Sequence, residues 1–214
     1  MATLPLNQNI AIKEFSVQAH QIAEASRNPF MRHGFRRTTI DDIAAAAGVA
    51  RNTIYLHFSS KAEVLNLMLA KSRQRLQQVW DEAMIYPGTL RERLYHLLAA
   101  HYLTVYELAG GFENISSVIS DYYCFGDDKD KAFESLFKSR IAQLFSEAHA
   151  SGELPQMTAP ADDIRFILYA AKGAALETPF SVEHFRHNLQ RITDYVCDAL
   201  GAPKSSPSGL ANNV

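Results

Sequence analysis

The residues best suited to chemistry in this 214-residue chain crowd into one stretch near its start. Between Arg27 and Lys61 the basic residues are Arg27, Arg32, Arg36, Arg37, Arg51 and Lys61, and the acidic ones are Asp41 and Asp42. That is a net +4 in a chain whose formal charge is -2, which leaves −6 for the remainder. No global excess of positive charge points to a polyanion. The local segregation does, because contact with phosphates needs a positive footprint rather than a positive total. Inside the same stretch Arg51, Asn52, Thr53, Tyr55 and His57 line up as polar or aromatic hydrogen-bonding groups.

The elements that must position these groups are helical. Thr39 suits an N-cap, Asp41 and Asp42 suit a helix N-terminus, and Gly48 suits a helix end. The spacing predicts one short helix over 40–47 and a second over 51–57, joined by a tight turn. Ile40, Ile43, Ala44, Ala47 and Val49 form the apolar seam between them, extended by Ile54 and Phe58. Two short helices joined in this way make a helix-turn-helix, whose second helix is narrow enough for a major groove. Upstream, helical patterning runs from about Ile12 toward His33, with an interruption predicted at Pro29 and an end at Gly34. Downstream, Ser59 or Ser60 caps a long helix over 61–84, and Tyr86-Pro87-Gly88 is a turn. Leu90, Leu94, Leu97, Leu98, His101, Val105 and Leu108 recur at helical spacing, as do Phe112, Ile115, Val118, Ile119 and Tyr122. Phe133, Leu136, Phe137, Ile141, Leu144, Phe145 and Ala148 form another such stripe before Ser151-Gly152. Further helices are predicted from Asp162 to about Glu177 and from Ser181 to Leu200. The fold class is therefore all-α.

Other chemistries are set aside. There is no GxSxG elbow, glycine-rich phosphate loop or HExxH, so the chain is expected not to be an enzyme and to need no cofactor. Cys124 lies beside Tyr123 and Phe125 without adjacent basic residues, as an inert thiol would. His184 and His187 share a helix face with Glu183 but lack further ligands, so no metal is expected. His96 and His101 do not converge. Two cysteines, no basic leader before an apolar run, and no apolar run of ~18 residues lead to an expected cytoplasmic location.

The run GFRRTTIDDIAAAAGVARNTIYLHFSSKAEVL resembles the N-terminal signature of the TetR family of regulators. The likeness spans about Ile22 to Leu69 and includes Gly34, Phe35, Thr38, Thr39, Ile40, Ile43, Ala44, Ala47, Gly48, Val49, Thr53, Tyr55, His57, Phe58 and Lys61 in register. It implies that Thr38 and the start of the helix after it, with Thr39, hold a phosphate. It also implies that Tyr55, His57 and Lys61 contact phosphates. Arg51, Asn52 and Thr53 are then the candidates for base reading: an Arg can grip guanine O6 and N7, and an Asn adenine N6 and N7, each worth ~1–3 kcal/mol of discrimination. Arg36 and Arg37 add minor-groove or backbone contacts. Three positions depart from the family pattern. Ala50 replaces a capping Ser or Thr, Asn52 replaces a frequent Gly, and Pro29 replaces an aliphatic residue.

The resemblance further implies an N-terminal arm and three-helix DNA-binding domain over 1–60, a ligand-binding and dimerisation domain over 61–201, and a disordered tail over 202–214. Val182, Phe185, Leu189, Ile192 and Val196 are spaced as a seam for a partner helix. The small residues Ala170, Ala171, Gly173, Ala174 and Ala175 would let another helix approach closely. An interface of Ala171, Ala174, Ala175, Phe185, Leu189, Ile192 and Val196 is therefore expected in a homodimer that reads a palindrome; the alternative is that both stripes pack within one chain. His101, Tyr102, Tyr106, Phe112, Tyr122, Tyr123, Phe133 and Phe137 are the candidate lining for a small apolar or aromatic effector. Together these features predict a ligand-responsive regulator, a repressor that binds double-stranded operator DNA. The rival readings are a helical protein-interaction module or an enzyme on a helical bundle. Charge reversal on the Arg36–Lys61 surface would separate them.

Overall fold

The computed structural model describes residues 15–109, 128–155, 160–175 and 181–204. Among these the regular structure is entirely helical: α1 (Val17–Ala25), α2 (Arg27–Arg37), α3 (Ile40–Ala47), α4 (Arg51–His57), α5 (Lys61–Met84), α6 (Leu90–Leu108), α7 (Asp128–Ala150), α8 (Pro160–Ala175) and α9 (Val182–Ala199). The chain divides into two compact units, one of residues 1–78 with 104–131 and one of 79–103 with 132–214. The stripe predicted over Phe112–Tyr122 and the tail from 205 onward lie outside the described residues.

In the first unit one apolar cluster joins α1 to α5. Ala19, Ile22 and Ala23 meet Phe30, Ile43, Ala44, Ile54, Phe58, Val64, Leu67 and Met68. The break predicted at Pro29 falls instead at Ser26, the residue between α1 and α2. Pro29 is the third residue of α2, where a backbone N–H has no acceptor inside the helix, so its missing donor disrupts nothing. The sharp change of direction is at Gly34, whose φ of 72° only glycine adopts freely.

The short helices that follow begin and end as their sequence predicts. Thr39 and Asp42 form a reciprocal cap at the start of α3: the Asp42 N–H donates to Thr39 Oγ1 (3.2 Å) and the Thr39 N–H to Asp42 Oδ2 (2.8 Å). The Thr39 N–H first, and the Thr39 hydroxyl that also donates to Oδ2 (2.7 Å), hold the Asp42 carboxyl below its ordinary pKa. Gly48, at φ 65°, ends α3. Ala50 leaves α4 without a side-chain cap. Ser60 accepts from the Glu63 N–H at the start of α5 (3.3 Å), while Glu63 reaches back to Ser59.

Lys61 closes this unit. Its ammonium donates to the carbonyls of Phe35 (2.8 Å), Arg36 (3.1 Å) and Thr38 (2.8 Å), and lies 4.7 Å from the centre of the Phe35 ring. One cation thereby satisfies the carbonyls left over where α2 ends, and pins that end to α5.

In the second unit the stripe Leu90, Leu94, Leu97 and Leu98 of α6 is buried, as are Ile141, Leu144, Phe145, Ile164, Ile167, Phe185 and Leu189. Arg91 is buried on the same helix, and its guanidinium donates to Asp194 Oδ1 (2.8 Å) and Asp198 Oδ1 (2.5 Å) of α9. Trp80 is fully buried in an aromatic group with Phe133 (4.7 Å between centroids), Phe137 (4.8 Å) and His101 (5.6 Å). His101 stacks on Phe137 at 4.0 Å, and burial pushes its imidazole down to about 3. Cys197 is buried too, its thiol pushed up to about 12, which leaves it protonated and unreactive. Pro160 opens α8, two residues before the start expected at Asp162; proline is favoured at a first helical position. Ser181 caps α9 by accepting from the His184 N–H (3.3 Å).

Replacing Lys61 with Met keeps most of the stem and removes the charged donors. The expected loss is about 1–3 kcal/mol in urea denaturation followed by circular dichroism, and an unchanged midpoint would contradict the clamp. His101 generates a pH dependence of known sign. The unfolded chain takes up a proton near the ordinary value of 6.5, while the folded one resists it down to about 3. Stability contributed above 6.5 is therefore lost progressively as pH falls between those values. Thermal melts from pH 7 to pH 4 should show a shallower decline for His101→Phe than for the wild type.

Candidate nucleic-acid interface

Helix α4 has seven residues and one buried anchor, Ile54. At 3.6 residues per turn every other position can be placed by its angle from that anchor. Asn52 and Leu56 lie about 160° away on either side, which makes them the outer crest. Arg51 and Tyr55 form one flank, Thr53 and His57 the other. Both flanks are tied down. Arg51 donates to Asp41 of α3 (2.8 Å) and more weakly to the Tyr55 hydroxyl (3.4 Å), and its guanidinium carbon lies 5.8 Å from the Tyr55 ring centre. These partners, the Tyr55 hydrogen bond first and the Asp41 charge second, raise the Arg51 pKa further. On the other flank the His57 ring meets Ser16 Oγ through Nδ1 (3.2 Å) and Gln18 Oε1 through Nε2 (2.9 Å), at the start of α1. Thr53 is half-buried and Tyr55 is 49% exposed.

Around this helix the basic residues divide by role. Arg32, Arg36 and Arg37 are exposed, and their guanidinium groups have no partner among the described residues. Arg27 is consumed: it donates to Glu24 (3.0 Å), Ser72 Oγ (3.0 Å) and the Leu108 carbonyl (3.4 Å). Lys61 is consumed by its three carbonyls. Thr38 is fully buried, with its hydroxyl shared between the Pro29 (3.0 Å) and Gly34 (2.8 Å) carbonyls. In this conformation Thr38 and Lys61 turn their donors inward, and neither side chain offers one to a phosphate. Thr39 is exposed, with its hydroxyl in the α3 cap. Two contributors escape the sequence reading: Asp41, which holds Arg51, and Leu56, which is 80% exposed on the crest. The signal for Leu56 was available, since it stands four residues after Asn52 and two from the apolar anchor.

The other expected sites are redistributed. Of the candidate effector lining, His101, Phe133 and Phe137 meet around Trp80, the chain's single tryptophan, which the sequence reading omitted. Tyr102 donates its hydroxyl to the Leu168 carbonyl (3.1 Å). Tyr106 is half-buried in the first unit, and Phe112, Tyr122 and Tyr123 lie outside the described residues. The expected partner seam requires correction. Ala171, Ala175, Phe185, Leu189 and Val196 are buried within the single chain, because this face of α8 and α9 fills the unit's own core. Ala174 and Ile192 are half-buried. The outward apolar face of the pair carries Phe166 (63% exposed), Tyr169 (69%) and Tyr195 (62%). Among the described residues no group of three or more His, Cys, Asp or Glu side chains could hold a metal, and no helix is long and apolar enough to cross a membrane.

Comparison with known proteins agrees with this geometry. A family model described as bacterial regulatory proteins, tetR family, matches residues 22–68. Over 49 residues the chain is 49% identical to the HTH-type transcriptional regulator TtgR of Pseudomonas putida, a segment that is 23% of each protein. Over 48 residues it is 42% identical to the probable acrEF/envCD operon repressor of Escherichia coli, covering 22% of each. The chain thus matches less than a quarter of the length of these curated relatives. The fold likeness is broader. A putative TetR-family transcriptional regulator from Rhodococcus sp. superimposes with a TM-score of 0.68 at 23% identity, over 85% of this chain and 99% of that one. SmeT, the repressor of the Stenotrophomonas maltophilia multidrug efflux pump SmeDEF, gives 0.65 at 18% identity, over 92% and 96%. Residues 22–68 thus carry the helix-turn-helix signature of the tetR family of bacterial regulatory proteins, and the described residues share the all-helical fold of the solved regulators.

Proposed function

We propose that this protein is a transcriptional regulator of the repressor type, which binds a palindromic operator as a homodimer and is released by a small apolar or aromatic effector. The observation that carries the DNA-binding part is the construction of α4: a crest free of protein partners, two anchored flanks, and Arg32, Arg36 and Arg37 exposed nearby. Unpaired arginines suit phosphates, and a free crest suits base edges. Its relatives, named a transcriptional regulator and a probable operon repressor, support the same reading.

Dimerisation is supported by the outer face of α8 and α9. Phe166, Tyr169 and Gly173 follow one another at helical spacing on α8, and Gly173 faces open space within the chain. Exposed aromatics beside a small residue suit close helix pairing, and a two-fold pair of reading helices matches a palindrome. Effector binding is supported by the aromatic group around Trp80, where Trp80 Nε1 and His101 Nδ1 are buried without a protein hydrogen-bond partner. An aromatic effector with an acceptor group would satisfy either nitrogen when it carries a proton. Helix α5 links the two functions covalently, with the Lys61 clamp at one end and Trp80 near the other. An effector that favours a shifted α5 would change the spacing of the reading helices. It must bind that state more tightly, since equal affinity for both states shifts nothing.

Selection from random duplex DNA at fixed moderate salt should enrich a palindrome with half-site centres ~34–36 Å apart, or a multiple of that. Binding should be lost in the Arg36→Glu, Arg37→Glu double variant while its circular dichroism is unchanged. A folded wild type that enriches nothing at low salt defeats the reading. Phe166→Asp with Tyr169→Asp should sediment as a monomer and lose the preference for paired half-sites. Persistence of the dimer would move the interface elsewhere. For the effector, quenching of Trp80 fluorescence by an aromatic compound should accompany a fall in operator affinity. A compound that binds at Trp80 and leaves affinity unchanged contradicts the release mechanism.

A further inference from the structure

We infer that the crest of α4 reads an A·T-bearing step in each half-site, with Asn52 gripping an adenine edge and Leu56 covering a thymine methyl. The inference rests on the operator reading above and deepens it by naming the bases.

Isolated exposed leucines are ordinary on protein surfaces, so exposure alone says little. The position of Leu56 is what matters. It is 80% exposed, lies about 160° from the buried Ile54, and shares the outer ridge with Asn52 one turn earlier. Whatever α4 docks against meets this ridge first. The flanking residues are already engaged. Arg51 is held by Asp41 and Tyr55, and His57 by Ser16 and Gln18, so part of the hydrogen-bonding capacity of each is taken. Asn52 is exposed, and its amide has no partner among the described residues.

The chemistry of the ridge selects its occupant. A primary amide matches adenine, whose N7 accepts and whose N6 donates in the major groove. A leucine offers no hydrogen bond and satisfies no polar base edge, so guanine or cytosine opposite it would lose solvation without return. The one methyl group in the major groove is that on thymine C5, and it offers a leucine the largest apolar contact there. Four residues of helix rise about 6 Å, close to two base-pair steps of about 3.4 Å. The adenine and the thymine therefore lie within about two steps of each other. A helix about 10–12 Å across with its side chains fits a groove about 12 Å wide, and at about 10 Å in length α4 spans only about three base-pair steps, so its sixth residue still reaches the base pairs. The exposed Arg32, Arg36 and Arg37 supply the charge that holds a duplex against this crest.

The test uses the full-length protein and the palindrome it selects. Each thymine is replaced in turn by deoxyuridine, which keeps the pairing and removes only the methyl. At one thymine per half-site the wild type should lose about fourfold in affinity, the effect of one buried methyl, while Leu56→Ala should be nearly indifferent there. Asn52→Ala should lose roughly 5- to 150-fold per half-site and relax the preference for adenine within two steps of that thymine. A wild type that binds its palindrome tightly but is indifferent to every deoxyuridine overturns the inference and leaves the operator reading standing. So does equal sensitivity in Leu56→Ala. If no palindrome is selected, the operator reading fails first and takes this one with it.

Discussion

Everything proposed for this chain depends on holding a seven-residue helix that cannot hold itself. Helices shorter than ~12–15 residues are marginal in water, and α4 begins without a side-chain cap at Ala50. Its orientation comes from outside. Ile54 anchors it in the core of the first unit, and Phe58, the residue after its end, enters the same core and stacks on Phe15 at 5.7 Å. The Arg51–Asp41 pair ties one flank to α3, and His57 ties the other to α1. A helix held at its base and on both sides has one free surface, and the side chains there acquire their meaning from that constraint.

The same unit shows why a count of charges is not a map of them. Six cations between Arg27 and Lys61 suggest a uniform positive stretch. The fold uses two internally, Lys61 on the carbonyls at the end of α2 and Arg27 on Glu24, Ser72 and Leu108. Arg51 is shared with Asp41. Arg32, Arg36 and Arg37 remain exposed to a polyanion. Lys61 thus shapes the interface through the backbone it gathers, which includes the segment carrying Arg36.

In the second unit the apolar residues of α8 and α9 serve two directions at once. Phe185, Leu189 and Val196 point inward, where Arg91 also binds Asp194 and Asp198 and locks α6 to α9. Phe166, Tyr169 and Tyr195 point outward. A heptad-like spacing identifies an apolar stripe but carries no information about whether the stripe faces its own core or a second chain. The aromatic residues raise a similar ambiguity, and it took the position of Trp80 to gather His101, Phe133 and Phe137 into one group.

What the amino-acid sequence determined by itself was local. Thr39 with Asp42, Gly48, Ser60 with Glu63, and Ser181 set helix ends through bonds spanning a few residues, so the bounds of α3, α4 and α5 and the start of α9 were legible. The Arg51–His57 segment was legible as the second helix of a helix-turn-helix for the same reason, since its pattern needs no distant partner to be recognised. Tertiary structure decided the rest. It turned Thr38 and Lys61 inward, because the carbonyls they satisfy are left over by the bend at Gly34, itself a tertiary choice. It moved the break in the first helix from Pro29 to Ser26, because a proline is harmless in a first turn and only packing says where that turn begins. It buried Phe185 and turned Phe166 outward, because the face a side chain takes depends on which neighbour fills the core, and that neighbour lies far away along the chain.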